Sequence, residues 1–485
     1  MVLEDLTAVM EKADDLGLEL NTSKCELLIT GGSEATRKQA TTLFRATVPE
    51  LRVMNPKDLE LLGAPMLSEA VSGALEKKIG QTQMLSGRLG LLPAHQVLFI
   101  LKNCLSLPKL SYILRCAECF KSGEKLDEFD KVIRDSLESI TNVPMSEDVW
   151  DQSSQPTGLG GLGIPKASEI AMPAYISSAT ASTDMVTSIV PENHLQQRVA
   201  ELSVRWQSST GLVAPPSENE RKKQAAWSKL QAAQKAESIL EKADVISRSR
   251  LLAASSKESA AWLSALPVAT LGNMLDDASL RIAVGLRLGA VVCTEHSCIC
   301  GQNVDKYGHH GLSCKKSRGR FARHCALNDA IQRPLGSAHV TSVLEPAGLD
   351  RGDGKRPDGL TIFPWKLGKA LVWDVTVVDT LAQSYVVATS QLAGAAETRK
   401  QRKYEALQNR FIVQPVGFET MGSWGARARS FLTDIGSRVM QVTGNPRAME
   451  FLRQRVSIEI QRGNAAAVMG TVENSKDWNN LFLLS

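Results

Sequence analysis

Hydrophobic residues in the first part of the chain recur mainly at helical spacing. Residues 1 to about 180 are therefore predicted to form helices joined by short Gly/Pro turns, with one strand-like segment at 26–30. Polar, Ser- and Thr-rich sequence then accumulates over 177–220, which is typical of a boundary between domains. At 221–252 apolar residues recur among Lys, Glu and Gln at helical spacing, which predicts an exposed helix or a short helical hairpin.

The pattern changes in the last third of the chain. Beyond a segment rich in Cys and His, helical and strand-like runs follow one another. They predict an α/β domain whose elements occur in the order helix, strand, strand, strand, helix. The predicted ranges are 320–332, 339–345, 358–363, 370–378 and 391–410.

Composition agrees with a folded protein of several domains. Hydrophobic residues make up 43% of the 485 residues and charged residues 22%, a balance that excludes disordered and fibrous proteins. At usual domain sizes, this length corresponds to roughly three domains. The 56 Lys and Arg residues exceed the 52 Asp and Glu residues by only four, so net charge alone does not indicate a nucleic-acid-binding protein.

Neither a signal peptide nor a membrane span is predicted. The N-terminal sequence MVLEDLTAVMEKADD carries acids where a signal peptide needs a basic end and an apolar core. Pro, His, Lys or Arg interrupt the most apolar stretches before the roughly 20 residues needed to span a bilayer. We therefore expect a nuclear or cytoplasmic protein that is not secreted and has no membrane partner.

A Cys/His cluster is the first motif with chemical content. Five of the nine cysteines fall within 293–325, a clustering that indicates a metal site in a reducing compartment. Cys298-Ile-Cys300 is followed, after nine residues, by His310-Gly-Leu-Ser-Cys314, and these four side chains can close a tetrahedral Zn²⁺ site. The alternative is a set of free thiols near a surface loop. Residues that could replace a ligand are Cys293, His296 and His309.

A basic run follows the Cys/His cluster directly. It has five cationic residues in nine positions, a density that favours contacts with nucleic-acid phosphates. The residues are Lys315, Lys316, Arg318, Arg320 and Arg323. The alternative interpretation is the solvated start of a helix.

Two acids in the α/β region form the most informative segment. Asp358 lies in Arg356-Pro-Asp-Gly, and Asp374 follows 16 residues later within an apolar run that is predicted to be a central strand. A buried carboxylate is costly without compensation, and a divalent cation shared by the two acids would supply it. The alternative is that Asp374 pairs with a buried Arg or caps a bulge.

Two lysines share one face of the helix that follows. Ala396, Lys400, Lys403 and Leu407 lie at i, i+4, i+7 and i+11, so both ammonium groups are directed towards the sheet or a bound anion. There they could orient water or neutralise a phosphate. The alternative is that the lysines extend to solvent at the domain edge.

In this order, the Cys/His knuckle, Arg-Pro-Asp, the strand Asp and Lys-x-x-Lys-Tyr resemble the restriction-enzyme-like (PD-(D/E)xK) endonuclease domain of non-LTR retrotransposons. The resemblance implies that Asp358 and Asp374 bind Mg²⁺ or Mn²⁺ and that Lys400 or Lys403 assists. Arg356 is grouped with the basic run as a nucleic-acid contact. One departure is Thr376, which stands where the usual lysine follows the acid. Candidates for a third acid are Glu345 and Asp329.

The N-terminal part resembles the end of a reverse transcriptase palm and its thumb. The resemblance rests on Leu-Gly-Leu-Glu-Leu-Asn at 16–21, Leu-Gly-Ala-Pro at 62–65 and Gly-Gly-Leu-Gly-Ile at 160–164. The catalytic Tyr-x-Asp-Asp of such a palm would lie upstream of residue 1, so we do not expect polymerase activity from this chain alone.

The sequence thus predicts a multidomain protein with a mainly α N-terminal half. The predicted segments are a partial reverse transcriptase (1–180), a helical linker (181–285), a zinc knuckle (286–319) and a restriction-endonuclease-like α/β domain (320–485). The leading functional hypothesis is a retrotransposon-derived, metal-dependent nuclease that nicks DNA, with the element's RNA as a further partner. The competing hypotheses are a non-catalytic nucleic-acid-binding remnant and a purely structural α/β protein.

Overall fold

A computed structural model describes residues 2–349, 356–382, 392–473 and 478–482. The described chain is mostly helical, with small sheets, and it divides into two compact units. The first unit contains 1–81, 109–129 and 167–224, and the second contains 82–108, 130–166 and 225–485. The functional boundaries expected from the sequence stay predictions.

The helices and strands have the following bounds. In chain order, the helices are Val2–Asp15 (α1), Glu34–Thr47 (α2), Ser68–Leu89 (α3), Ala94–Ile100 (α4), Leu107–Cys116 (α5), Gly123–Thr141 (α6), Glu147–Ser154 (α7), Ala167–Ile189 (α8), Leu195–Thr210 (α9), Glu218–Arg221 (α10), Gln224–Lys242 (α11), Val245–Ala254 (α12), Asp277–Leu288 (α13), His309–Ser313 (α14), Gly319–Ser337 (α15), Leu392–Lys403 (α16), Ala426–Thr443 (α17), Ala448–Met469 (α18) and Trp478–Leu481 (α19). The strands are Glu26–Leu27 (β1), Arg52–Val53 (β2), Glu60–Leu61 (β3), Ala64–Pro65 (β4), His296–Ser297 (β5), Asn303–Val304 (β6), Ser342–Leu344 (β7), Gly359–Thr361 (β8), Leu371–Val378 (β9) and Ile412–Glu419 (β10).

The first unit is helical, as expected, with two minimal β-pairs. The strand predicted at 26–30 is limited to β1, which pairs in parallel with β2. The polar stretch 177–220 is largely helical, in α8 and α9. Its hydroxyls bond within the helix: Thr180 Oγ1 donates to the Ile176 carbonyl at 2.7 Å and Thr183 Oγ1 to the Ala179 carbonyl at 3.0 Å. Because these side chains are satisfied locally, Ser and Thr do not interrupt α8.

The segment 221–252 contains the predicted helices, here α11 and α12. Its exposure differs from the expectation, because Trp227 is completely buried. Helical spacing alone therefore identified the helices but not which side faces the interior.

The second unit is built around a four-stranded mixed sheet. The strand order is β10-β9-β8-β7, in which β10 runs parallel to β9 and the other pairs are antiparallel. The predicted order of helix, three strands and helix is present as α15, β7, β8, β9 and α16. The sequence did not predict β10, α17 and α18, which complete the sheet and cover it.

The core beside this sheet is packed around Trp373 of β9, which contacts both β8 and α15. Trp373 is completely buried and its Nε1 donates to Asn328 Oδ1 at 2.9 Å, which fixes β9 against α15. A Cβ on Gly359 would lie 2.0 Å from the Trp373 ring, so a larger residue would separate the strands. The buried residues of this core include Leu327, Ile331, Leu371, Val375, Val416, Phe418, Phe431, Leu432, Val456 and Ile460.

One helical run among the described residues, Ala94–Cys116, is long and apolar enough to cross a bilayer by length and composition, with a mean hydropathy of 1.4. The sequence predicted no stretch of this length, and the structure differs because the helical run continues past His95 and Lys102 as far as Cys116. Pro108 lies in the first turn of α5, where a missing N–H is tolerated, and His95 is buried in α4. A helix packed inside a protein core passes the same test, and 44% of its most apolar window is buried.

His95 is held neutral inside the second unit. Its side chain is 2% exposed, and its Nδ1 accepts the Leu275 amide at 3.0 Å. Burial lowers the pKa of His95 from 6.5 to about 4; the charge of Arg462 lowers it further, and a backbone hydrogen bond to Trp262 opposes the shift. Proton uptake at Nδ1 would break the bond to Leu275.

We expect His95 to make the protein sensitive to acid. The unfolded chain binds this proton near pH 6.5 and the folded chain only near pH 4, so stability falls as the pH decreases through this window. The full effect is about 3 kcal/mol. His95→Gln should flatten the decline in unfolding midpoint between pH 7.5 and 4.5, measured by tryptophan fluorescence. The exposed His339→Asn is the control, and an equally steep decline in both variants would refute this role.

Candidate functional site

Four Cys and His side chains singled out by the sequence converge in the second unit. The ligand atoms of Cys298, Cys300, His310 and Cys314 all lie within 4.8 Å of one another. The Cys298 and Cys314 sulfurs are 3.6 Å apart, and Cys300 Sγ lies 3.2 Å from His310 Nε2. Around a tetrahedral zinc ion, neighbouring ligand atoms are about 3.3–3.8 Å apart. The cluster can therefore bind a metal such as zinc.

Two tight turns bring these ligands together. Strands β5 and β6 form an antiparallel hairpin, closed by the Cys298 amide, which donates to the Gln302 carbonyl at 2.8 Å. Gly301 has a φ of +88°, a conformation that favours glycine. The second turn is α14, and a Cβ on Gly311 would lie 2.7 Å from Val468 Cα of α18. Close packing on α18 thus holds the imidazole ligand in place.

The three alternative ligands bond elsewhere. Cys293 Sγ lies 3.2 Å from the Asp305 carbonyl, and His309 Nδ1 lies 3.4 Å from Asp305 Oδ2. His296 Nε2 is 2.9 Å from the Thr471 hydroxyl. These residues stabilise the loops around the cluster.

The basic run after Cys314 is divided between surface and interior. Three of its side chains are exposed: Lys315, Lys316 and Arg318. Arg320 is half-buried and donates to the Ser313 carbonyl at 2.9 Å. Arg323 is 3% exposed, and its guanidinium donates to Asn464 Oδ1 at 2.6 Å and to the Leu312 carbonyl at 3.3 Å. The expectation that Arg323 contacts phosphate does not fit this position, because its donors are directed into the protein.

Asp358 lies directly before β8 and is tied to two other elements. Its Oδ2 accepts the Val375 amide of β9 at 2.6 Å and lies 3.0 Å from His324 Nε2 of α15. Burial would raise the pKa of Asp358, but the hydrogen bond and charge of His324, the amide and Lys400 together hold it below its usual value. The hydrogen bond to Asp358 raises the pKa of His324, against the effect of burial.

Asp374 is buried in the middle of β9, as expected, with 4% exposure. Lys400 Nζ forms an ion pair with its Oδ1, and Lys403 Nζ lies 3.5 Å from its Oδ2. The buried Tyr404 hydroxyl donates to the same Oδ2. Two lysines and a phenol thus compensate the buried charge of Asp374. The alternative interpretation from the sequence, a buried arginine paired with Asp374, is wrong.

Tyr404 connects the parts of this acid site. Its hydroxyl accepts a hydrogen bond from Lys403 Nζ at 2.7 Å and lies 3.1 Å from the Arg356 carbonyl, two residues before Asp358. The end of α16, the middle of β9 and the loop before β8 therefore meet at one hydroxyl. Sequence reasoning assigned no role to Tyr404, although it ends the Lys-x-x-Lys-Tyr motif, or to His324, whose only signal was its position directly after the basic run.

The remaining candidates have simpler positions. Glu345 forms an ion pair with Arg356, both of them on the surface, and Asp329 is exposed on α15. Thr376 is half-buried on β9. Among the described residues, the Cys/His cluster is the only group of three or more Cys, His, Asp or Glu side chains placed so that they could hold a metal ion. The acid site is thus a pair of carboxylates with cationic neighbours.

A cavity of about 690 Å³ lies beside the same sheet but does not include the acid pair. Glu397, 1% exposed, projects to it and accepts the amides of Gly417, Arg427 and Ala428 at 3.1, 3.0 and 2.8 Å. It thereby satisfies the first turn of α17, whose N–H groups have no acceptor within the helix. Glu419 is also buried, which raises its pKa. These glutamates stabilise the junctions of helices with β10.

Comparison with known proteins gives one informative relative. No family model matches the chain. Over 442 residues it is 23% identical to the retrotransposable element SLACS 132 kDa protein of Trypanosoma brucei gambiense. The alignment covers 88% of this chain and 32% of that protein, so the chain spans about a third of the relative's length. The similarity supports derivation from a retrotransposable element.

Proposed function

We propose that residues 320–485 of this retrotransposon-derived protein form a metal-dependent endonuclease domain that nicks DNA. One observation carries the proposal: Asp374 on β9 lies beside two lysines of α16, and Asp358, directly before the adjacent strand β8, accepts the amide of the next residue of β9. The order of elements from α15 to β10 supports assignment of this region to a restriction-endonuclease-like fold. Similarity to a retrotransposable element protein supports the same source.

Asp358 and Asp374 would hold the catalytic Mg²⁺ or Mn²⁺. The donors fit such an ion, because both metals prefer oxygen ligands and the Val375 amide directs the Asp358 carboxylate towards the strand that carries Asp374. When bound, the cation activates water and stabilises negative charge on a phosphate.

The lysines and the phenol supply the protein's own contribution. Lys400 and Lys403 already contact the Asp374 carboxylate, so their ammonium groups lie where a phosphate next to that carboxylate would need neutralisation. They would replace the catalytic lysine that usually lies two residues after the strand acid, a position that Thr376 occupies on β9. Tyr404 positions Asp374, and His324 positions Asp358.

The Cys/His cluster and the basic run would form the DNA-binding part. Zinc would stabilise two short turns that have little apolar sequence of their own. Arg320 and His324 lie four residues apart on α15, about 6 Å along the helix axis. A DNA backbone held by Lys315, Lys316 and Arg318 would therefore pass near the acid site, and Arg356 would add a contact beside Asp358. Target DNA, with the element's RNA as a second ligand, implies a nuclear site of action.

For residues 1–180 we propose a reverse transcriptase remnant consisting of the end of a palm and a thumb. This assignment rests on the motifs at 16–21 and 62–65, which in the structure surround short β-pairs between helices. The paired palm acids required for polymerisation are not among these motifs. The nuclease is thus the activity that we assign to this chain.

The test is incubation of the full chain with supercoiled plasmid. We expect conversion to the open circular form with Mg²⁺ or Mn²⁺ and no conversion when EDTA is present, since the reaction requires the cation. Agarose gel electrophoresis measures the product. Salt-dependent DNA binding without nicking under all these conditions would contradict the proposal and favour a non-catalytic nucleic-acid-binding protein.

A further inference from the structure

An aromatic side chain is exposed at the start of α15. Phe321, in the first turn of this helix, is 72% exposed, although burial of a phenyl ring is normally favourable. The residues before it include the exposed cations Lys315, Lys316 and Arg318 and the half-buried Arg320. The surface at this end of α15 therefore combines the face of an aromatic ring with positive charge.

The position of Phe321 on the helix explains why its ring is left uncovered. Phe321, His324 and Asn328 lie at i, i+3 and i+7, on one face of α15. Asn328 packs on the sheet, where its Oδ1 accepts the Trp373 Nε1 hydrogen at 2.9 Å, and His324 contacts Asp358 directly before β8. Phe321 lies one turn beyond the last of these contacts, on the side of the Cys/His cluster.

The same geometry places the ring beside the acid site. Side chains three residues apart on a helix have Cβ atoms about 5–6 Å apart, so Phe321 is a direct neighbour of His324. His324 Nε2 in turn lies 3.0 Å from Asp358 Oδ2. A nucleotide that contacts the Phe321 ring therefore lies between the cations at 315–320 and the carboxylate of Asp358.

Cations beside an exposed aromatic ring are typical of surfaces that bind unpaired nucleic-acid strands. Lys and Arg bind the phosphates, and the bases stack on the ring. In a continuous duplex the faces of each base are covered by the neighbouring base pairs, and a base must leave the stack before a protein ring can contact its face. Cations alone attract paired and unpaired strands alike. The ring of Phe321 therefore adds a preference that the basic run does not have.

We propose that Phe321 stacks on an unpaired DNA base next to the acid site, so that the endonuclease prefers DNA whose base pairing is interrupted there. This inference rests on the proposed nuclease function and adds its substrate class. Phe321 is thus a specificity-determining residue, and the cations at 315–320 hold the backbone on either side of the stacked base.

The experiment measures binding of the full chain to a labelled DNA single strand and to the corresponding duplex by fluorescence anisotropy. No divalent cation is added, so that the DNA is not cut. Phe321→Leu removes the aromatic face but keeps an apolar side chain. We expect this variant to bind the single strand about tenfold more weakly and the duplex within about twofold of the wild type. Unchanged affinity for the single strand, or equal losses on both DNAs, would overturn the inference.

Two further variants test whether an aromatic ring is required at this position. Phe321→Tyr keeps the aromatic face and should bind the single strand within about twofold of the wild type. Phe363→Leu is the matched control, because Phe363 is 63% exposed in the loop after β8, at the opposite end of that strand from Asp358. It should bind both DNAs as the wild type does. A loss of affinity in Phe321→Tyr or Phe363→Leu equal to that in Phe321→Leu would refute stacking at Phe321.

Nicking of two oligonucleotide duplexes separates failure of this inference from failure of the proposed function. One duplex is fully paired and the other contains a short mismatched bubble. With Mg²⁺ the wild type should nick the bubble at least about tenfold faster, and Phe321→Leu should reduce this ratio to less than about threefold. Wild-type protein that nicks both duplexes at the same rate contradicts only the preference. Wild-type protein that nicks neither duplex nor supercoiled plasmid contradicts the proposed function as well.

Discussion

Asp374→Asn is expected to reduce the rate of plasmid nicking at least about 100-fold. Changing a residue that only hydrogen-bonds to a metal ligand typically lowers metal affinity or activity about 10- to 100-fold, and removal of a ligand itself should lower activity more. The folded state should persist. Lys400 and Lys403 lose their ion pairs, but both are about a quarter exposed and can reach solvent, and asparagine keeps an acceptor for Tyr404. Initial rates of open-circle formation measure the activity, and the thermal midpoint measures folding.

The matched control for Asp374→Asn is Glu405→Gln, an exposed carboxylate one residue after Tyr404. It makes the same change in charge and should leave the nicking rate within about twofold. Substitution of an exposed side chain that makes no buried contact has little effect on folding stability. Nicking by Asp374→Asn at the wild-type rate would exclude Asp374 as a metal ligand. A large fall in its thermal midpoint would instead show that the carboxylate is chiefly structural.

Cys314→Ser is expected to abolish metal binding by the Cys/His cluster and to destabilise the second unit. The wild-type chain should carry about one zinc per molecule, since the four ligand atoms lie within 4.8 Å of one another, close enough to be drawn onto one ion. Serine is a poor zinc ligand. Because Cys314 also ends α14 and is 4% exposed, its replacement removes the metal that joins the two turns. We expect the unfolding midpoint to fall by about 10 °C.

Metal content by mass spectrometry and thermal unfolding test this prediction together. Cys325→Ser is the control: Cys325 is exposed on α15, outside the cluster, so the variant should keep its zinc and its midpoint. Addition of a strong chelator to the wild-type protein should reproduce the Cys314→Ser midpoint. A wild-type chain that purifies without zinc and is indifferent to chelator would exclude a structural metal here.

The sequence-based predictions were most accurate where the residues that form a feature are close together in the sequence. Cys298, Cys300, His310 and Cys314 lie within 17 residues, so two turns suffice to bring them together. Asp374 in an apolar run was expected to be buried in a strand, because eight consecutive residues define that strand. The face shared by Lys400 and Lys403 follows from helical periodicity alone.

The helices within 177–220 and the burial of Arg323 could not be predicted from the spacing of residues in the sequence. The helices within 177–220 were obscured by composition, because Ser and Thr can bond either to solvent or to the preceding turn of a helix. Arg323 occurs in a run of surface cations, yet its guanidinium is bonded to Asn464, which is 141 residues away. Burial of a single residue within a basic run depends on the element that packs over it, here α18.

The sequence by itself determined the residues of the Cys/His cluster, the central strand and the basic helix face, since each depends on spacing over a few residues. Only the tertiary structure decided which groups meet across the sheet. It paired His324 with Asp358, joined Tyr404 to Asp374, and placed Glu397 at the start of α17. These contacts join segments 30 or more residues apart, and packing of helices on the sheet fixes them. Periodicity describes one segment at a time and contains no information about its neighbours in space.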